Sequence, residues 1–131
     1  MNVHLGVMGE YAVTVRAEVL SARKTGNEAA REVPRMVGAR LVALNEVSRD
    51  DVFDDQRVKE LVSRERISAR ALYGNGFDFM PTHKLWLRGN HRPGVRDAGD
   101  GFWRRVHLIG FDRQFSESEQ KRDLEAQLLE E

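Results

Sequence analysis

Short runs of apolar residues predict the strands of a sheet. Residues 41–44, Leu-Val-Ala-Leu, form an uninterrupted apolar run that ends in the polar pair Asn45-Glu46. Such a run is typical of a strand buried on both faces of a parallel sheet, with functional groups after its carboxyl end. Residues 11–15 and 84–90 are similar, and the latter run ends in Gly89-Asn90. We therefore expect an α/β fold on a mostly parallel sheet of three or four strands.

Helical periodicity alternates with these strands. Apolar spacing predicts helices over residues 17–24 and 28–33. Ser48 can cap a further helix that carries an apolar face and ends near residue 63. Ser116 and Glu119 have the spacing of a capping box, which opens an acidic C-terminal helix with a narrow leucine stripe.

A β-hairpin is predicted between the strands that end in Glu46 and Asn90. Residues 67–72 and 77–80 are strand-like and flank Asn75-Gly76. That pair favours a type I′ turn, in which both central residues need positive φ. Residues 103–111 predict one more strand.

Length and composition predict one soluble globular domain. The chain has 131 residues, of which 40% are hydrophobic, and no apolar stretch approaches the roughly 18 residues that cross a bilayer. It has no cysteine, which excludes disulfides and thiolate metal sites. Because nothing in it resembles an export signal, we expect a cytoplasmic protein without membrane contact.

The charge is balanced in total but not along the chain. The 21 basic and 21 acidic residues sum to zero. Residues 84–105 contain six basic and two acidic side chains, whereas residues 112–131 contain three basic and seven acidic ones. The neutral total therefore conceals a basic segment, suited to phosphates, and an acidic tail after it.

Five blocks of the sequence form an ordered set: residues 38–46, 58–61, 67–73, 81–91 and 100–106. The most specific are Lys-Leu-Trp-Leu-x-x-Asn-His and Trp-Arg-Arg. In this order the blocks resemble the helicase domain of phage- and plasmid-encoded DNA primases, which are superfamily 3 helicases with an AAA+-like ATPase fold. The resemblance covers roughly residues 9–111. It implies a partial P-loop-type three-layer sandwich over residues 1–115, with residues 116–131 as an appended acidic helix.

The resemblance implies a nucleotide role for four residues. Glu46 matches the Walker B position, where a carboxylate helps to hold Mg²⁺ or orients the attacking water. Asn90 matches the sensor position near the γ-phosphate. Arg104 and Arg105 fall where the family supplies an arginine finger to ATP on the adjacent subunit, with Arg104 the first choice. From the residues alone, Glu46 is also compatible with a solvated strand end, Asn90 with a turn, and Arg104 and Arg105 with ordinary surface charge.

The predicted hairpin region matches the element that contacts single-stranded DNA in superfamily 3 helicases. Its basic side chains suit phosphates, and its tyrosine suits base stacking. The candidate DNA-binding residues are Lys59, Arg64, Arg66, Arg70 and Tyr73. A solvated basic surface is the alternative for each of them.

The phosphate-binding loop of the family has no counterpart in this sequence. Superfamily 3 ATPases need Gly-Lys-Ser or Gly-Lys-Thr after a glycine-rich loop, and the one lysine followed by a hydroxyl residue is Lys24, before Thr25, with no such loop ahead of it. We expect the P-loop strand to be missing. The chain alone is then expected not to bind ATP tightly and to be inactive as an enzyme, because the phosphate-binding segment is absent. A longer parent protein would bind ATP and Mg²⁺, carry a primase domain, form a ring such as a hexamer, and act on single-stranded or forked DNA in replication.

Two alternatives remain at this point. The chain is either part of an ATP-dependent helicase or a catalytically inactive DNA-contacting or oligomerisation module from a truncated prophage gene. A metallophosphatase is suggested only by Gly89-Asn90-His91. Such enzymes need further metal-binding motifs upstream, which the sequence lacks, and its four histidines are widely scattered.

Overall fold

The structure is a computed structural model that describes residues 1–21, 31–45, 47, 49–71, 73–96 and 99–130. Its strands are β1 (Ala12–Arg16), β2 (Leu41–Asn45), β3 (Val52–Asp54), β4 (Ile67–Arg70), β5 (Gly76–Phe79), β6 (Lys84–Leu87) and β7 (Gly94–Arg96). Its α-helices are α1 (Asn2–Met8), α2 (Asp55–Leu61), α3 (Asp100–Trp103) and α4 (Leu124–Glu130). Short 3₁₀ helices cover Gly9–Tyr11, Ala17–Leu20, Val33–Met36 and Glu117–Glu119.

A parallel sheet of order β1-β2-β6 forms the centre of the fold. The four apolar residues of β2 are all buried, which confirms the prediction of a strand covered on both faces. Val42 and Leu44 point into the main core, whereas Leu41 and Ala43 are buried on the other side, where α1 packs. The fold is thus mixed α/β with small, mostly parallel sheets, and is compatible with part of a P-loop-like fold.

A second parallel pair joins β3, which directly precedes α2 in the chain, to β7, which follows β6. This corrects the prediction of a helix capped by Ser48, a residue that lies outside the described part of the chain. The residues after Ser48 include β3, which buries Phe53. The helix begins only at Asp55, because Asp54 Oδ1 accepts the Arg57 N–H at 3.0 Å and forms the N-cap.

The predicted hairpin is confirmed as the antiparallel pair β4 and β5. Ile67 and Ala69 are buried on one face, and alternate residues are exposed. The turn was predicted wrongly. Among the described non-glycine residues, only Tyr73 has a positive φ, at 60°, and Gly76 already belongs to β5.

The first helical predictions are only partly tested. Residues 17–20 form a 3₁₀ turn rather than the start of an α-helix, and Ser21 then bridges to Phe53. Residues 22–24 of the predicted helix 17–24 lie outside the described residues, as do residues 28–30 of the predicted helix 28–33. Residues 31 and 32 of the latter are α-helical, and Val33 begins a 3₁₀ helix. Pro34 sits in the first turn of a 3₁₀ helix, a position that tolerates proline.

The strand predicted over residues 103–111 is wrong. Trp103 ends α3, and residues 106–116 have no regular secondary structure. The capping box is confirmed, because Ser116 and Glu119 bond reciprocally, but it opens a 3₁₀ helix. The acidic α4 comes next and packs against α1 near Gly6. Across the described ranges, no helix has the length and apolar character needed to span a membrane.

Candidate functional site

The carboxyl ends of β2 and β6 lie side by side at one edge of the central sheet. The Arg88 N–H donates to the Leu44 carbonyl at 3.2 Å, which extends the pairing of the two strands. The segments that follow β2 and β6 also stay in contact, because a Cβ added at Gly89 would lie 3.0 Å from Val47 Cβ. Loops that leave parallel strands at their carboxyl ends share one edge of the sheet. Glu46 lies outside the described residues, between the described Asn45 and Val47, and Asn90 is exposed directly after Gly89.

Asn45 ends β2 with an acceptor that has no partner in the described structure. Its Oδ1 is fully buried and receives no hydrogen bond from any described residue. A buried acceptor without a donor is uncommon and costs free energy. Asn45 was not predicted as a site residue, because in the sequence it is noted only as the residue before the candidate carboxylate of Glu46.

Arg104 and Arg105 extend from the end of α3. Their side chains are exposed, and each donates one hydrogen bond back to the helix: Arg104 Nε to the Asp100 carbonyl at 3.4 Å, and Arg105 to the Gly101 carbonyl. Trp103, beside them, is covered in part by Arg92, whose Cζ is 4.9 Å from the ring centroid. Neither Arg92 nor Trp103 is among the site residues predicted from the sequence. Trp103 nevertheless begins the Trp-Arg-Arg block.

The candidate DNA-binding residues divide into two groups. Arg70 and Tyr73 belong to the hairpin, where the Arg70 Nε donates to the Gly74 carbonyl at 3.0 Å and Tyr73 is 98% exposed. Arg64 and Arg66 are exposed just before β4. Lys59 instead lies on α2, where its ammonium pairs with Asp55 at 2.5 Å.

The structure brings Lys59 close to the candidate finger residues rather than to the hairpin strands. A Cβ at Gly101 would lie 3.5 Å from Lys59 Nζ and 3.8 Å from Arg105 Nη1. Lys59 and Arg105 therefore approach the same glycine of α3. Sequence spacing gave no sign of this, because the two cations are 46 positions apart in the chain.

His83 is a core residue with a fixed hydrogen bond. Its Nε2 is 3.1 Å from the Leu61 carbonyl, and its Nδ1 is buried with no partner among the described residues. Burial lowers the pKa of His83 below the usual 6.5, and the bond to the Leu61 carbonyl opposes that shift only partly. The described residues contain no group of three His, Asp or Glu side chains that would hold a metal ion.

Comparisons with known proteins point toward helicases. The chain is 29% identical over 114 residues to "Putative helicase 022R" of Frog virus 3 (isolate Goorha), a match that covers 83% of this chain and 12% of that protein. It is 30% identical over 93 residues to "Putative helicase L207/L206" of Acanthamoeba polyphaga mimivirus, covering 71% of this chain and 10% of that protein. No protein-family model matches. The chain spans about a tenth of the length of these relatives, and is thus similar to a segment of viral proteins named as helicases.

Proposed function

We propose that this chain is part of a superfamily 3 helicase domain in a phage or plasmid primase-helicase that acts in DNA replication. The observation that carries the proposal is the adjacency of β2 and β6. Their carboxyl ends share one sheet edge, so the segments bearing Glu46 and Asn90 leave the sheet together. The similarity to segments of two viral proteins named as helicases supports the same activity class.

In a longer parent protein, this edge would contribute to an ATP site between subunits of a ring. Glu46 would help to hold Mg²⁺ or orient water, Asn90 would contact the γ-phosphate, and Arg104 or Arg105 would stabilise transition-state charge on the neighbouring subunit's ATP. The described residues fit such a site only in part. Asn45 Oδ1 at this edge has no hydrogen-bond partner among the described residues, but no phosphate-binding loop is present in the sequence.

The isolated chain is accordingly expected to show no micromolar affinity for Mg-ATP. Titration calorimetry measures this directly, and micromolar binding would contradict the incomplete site. In the longer parent, Arg104→Ala is expected to lower ATPase turnover by about 10³-fold while changing ATP affinity little. Unchanged turnover would remove Arg104 from the finger role.

The β4–β5 hairpin would be the DNA-contacting element. Tyr73 stands almost wholly in solvent at its turn, with Arg70 beside it on β4 and Arg64 and Arg66 leading into it. An exposed aromatic ring near guanidinium groups suits stacking with a base and contact with phosphates.

Single-stranded DNA affinity of the intact chain, measured by fluorescence anisotropy, tests the hairpin role. Tyr73→Ala is expected to weaken binding by about 5- to 150-fold, the range for loss of one stacked base. The double variant Arg66→Ala with Arg70→Ala is expected to reduce the slope of log affinity against log salt concentration by roughly 0.7 per lost phosphate contact. Lys121→Ala with Arg122→Ala, which removes the same two positive charges from the acidic tail, is the matched control. Equal effects of the control and hairpin variants would contradict the assignment.

A non-enzymatic role is the second candidate. Leu108, Ile109 and Phe111 are 71%, 72% and 91% exposed in a segment without regular structure, as expected of side chains that become buried in a contact. The chain would then act as an oligomerisation or DNA-contacting module. Sedimentation and DNA-binding measurements on the intact chain together distinguish a helicase part from an oligomerisation module: concentration-dependent assembly that is lost in Phe111→Ser, without binding of DNA, would favour the oligomerisation module.

A further inference from the structure

Trp103 and Arg92 form an exposed stacked pair that neither the proposed nucleotide site nor the hairpin uses. The Arg92 guanidinium lies over the Trp103 ring, 4.9 Å from its centroid. Trp103 is nevertheless 42% exposed. A partly exposed indole ring offers an apolar, polarisable surface to a planar ligand.

The Trp103 ring is held in place by the core. Phe102, only 3% exposed, meets it edge to face, with 5.0 Å between ring centroids and an interplanar angle of 90°. Trp103 also lines a shallow, open depression with Asp100 and Arg104. Because its neighbours already fix the ring, binding there loses little conformational entropy.

Positive charge surrounds this aromatic surface. Lys59 and Arg105 converge on Gly101 in the preceding turn, and one of the two nearby carboxylates, Asp55, is already paired with Lys59. The contacts on α3 and its neighbours place four cations and two carboxylates there: Lys59, Arg92, Arg104, Arg105, Asp55 and Asp100. The local excess of positive charge suits an anion.

A second arginine–aromatic pair in the chain has the same contact but the opposite surroundings. Arg113 lies 4.6 Å from the Phe115 ring centroid, and Phe115 is 55% exposed. Arg113 is also paired with Glu119 at 2.9 Å, and Glu117 lies nearby in the sequence. This pair therefore offers a matched control in which an exposed ring lacks the positive field.

The geometry points to Trp103 as a stacking site for a base of single-stranded nucleic acid, with Arg92, Arg105 and Lys59 beside its phosphates. Indole rings stack on any base, and guanidinium and ammonium groups attract the phosphodiester chain. The depression is open rather than enclosed, so it admits a strand that runs past it. This site shares no residue with the hairpin strands. It shares Arg105 with the proposed nucleotide site, where Arg104 is the first choice for the finger, and its central pair, Trp103 and Arg92, goes beyond the proposed function.

Fluorescence of the intact chain carrying Trp86→Phe tests the site, because Trp103 is then the sole tryptophan. Oligo(dT) of about 16 nucleotides is the probe. Stacking is expected to quench Trp103 emission in step with binding measured by anisotropy. Trp103→Ala is expected to weaken binding by about 5- to 150-fold, whereas Trp103→Phe retains most of the affinity. Phe115→Ala is expected to leave both signals unchanged.

The charged partners give an independent readout. Arg92→Ala is expected to reduce the slope of log affinity against log salt by roughly 0.7. Binding of oligo(dT) without quenching, an equal loss in Phe115→Ala, or no binding by the folded chain would each overturn the site. Quenching by ATP alone, equal to that by oligo(dT), would overturn it in favour of a free nucleotide.

The hairpin variant separates this site from the proposed function. Tyr73→Ala is expected to lower affinity but to leave the quenching of Trp103 at saturation unchanged. If Tyr73→Ala abolished the quenching at saturation, Trp103 would not contact the strand itself. If Trp103→Ala alone weakened binding, the hairpin assignment would fail while the Trp103 site stood.

Discussion

Replacing His83 by glutamine or by leucine separates the two contributions of this buried ring to stability. His83 is 6% exposed and precedes β6, and its Nε2 is 3.1 Å from the carbonyl of Leu61 at the end of α2. A carbonyl can only accept, so the neutral ring carries its proton on Nε2. Leucine removes this donor, and the unpaired buried carbonyl is expected to cost about 1–3 kcal/mol in the free energy of unfolding. Glutamine can place an N–H near the same position and is expected to cost less.

The pH dependence distinguishes these variants more sharply. Burial lowers the pKa of His83 in the folded state, whereas the unfolded state keeps a value near 6.5. Below about pH 6.5 the unfolded chain binds a proton that the folded chain resists, so wild-type stability falls as pH drops toward the lowered pKa. His83→Gln cannot titrate in this range. Its deficit relative to the wild type should therefore shrink in acid.

Urea unfolding monitored by circular dichroism, at about pH 8 and about pH 5.5, measures both effects. The other histidines, His4, His91 and His107, are exposed and are present in both proteins, so the difference between the two proteins isolates position 83. A wild-type minus His83→Gln difference that is the same at both pH values would refute the reasoning, because the ring would then titrate normally. Equal costs for the leucine and glutamine variants would refute the role of the hydrogen bond.

Three further predictions concern single positions. Asp54→Ala removes the acceptor for the Arg57 N–H and is expected to lower stability by about 1 kcal/mol in urea unfolding, with Asp54→Asn close to wild type. Tyr73→Gly relieves a positive φ at a fully exposed side chain, so thermal unfolding is expected to show a gain of up to about 1 kcal/mol while single-stranded DNA affinity falls; a loss of stability would contradict the strain. Gly89→Val is expected to lower the free energy of unfolding in urea, because its Cβ would lie 3.0 Å from Val47 Cβ. A free energy of unfolding equal to that of the wild type would show that the segments containing Gly89 and Val47 are not in contact.

Elements whose apolar pattern lies within one short segment were predicted correctly. The apolar run of β2 predicted a buried parallel strand, and the strand-like residues on either side of Tyr73 predicted the hairpin, because both patterns specify which faces are covered. The hairpin turn was not predictable in the same way. Asn75-Gly76 favours a tight turn, but pairing of Arg70 with Gly76 leaves a longer loop and puts the positive φ at Tyr73.

Features that depend on distant partners were missed. The segment after Trp103 has strand-like residues, yet a strand exists only when another backbone pairs with it, and no described strand does so. Two capping residues, Ser48 and Asp54, compete for the same helix, and burial of Phe53 in β3 favours the later one. The approach of Lys59 to Arg105 results from the packing of α2 near α3, which spacing alone does not reveal.

Photo-cross-linking shows whether the β4–β5 hairpin contacts single-stranded DNA. An oligonucleotide containing bromodeoxyuridine is bound to the intact chain and irradiated, and its adducts are mapped by mass spectrometry. Aromatic side chains within contact distance of a base are the ones that react, so adducts are expected at Tyr73. Efficient cross-linking with none in residues 67–79 would contradict the claim.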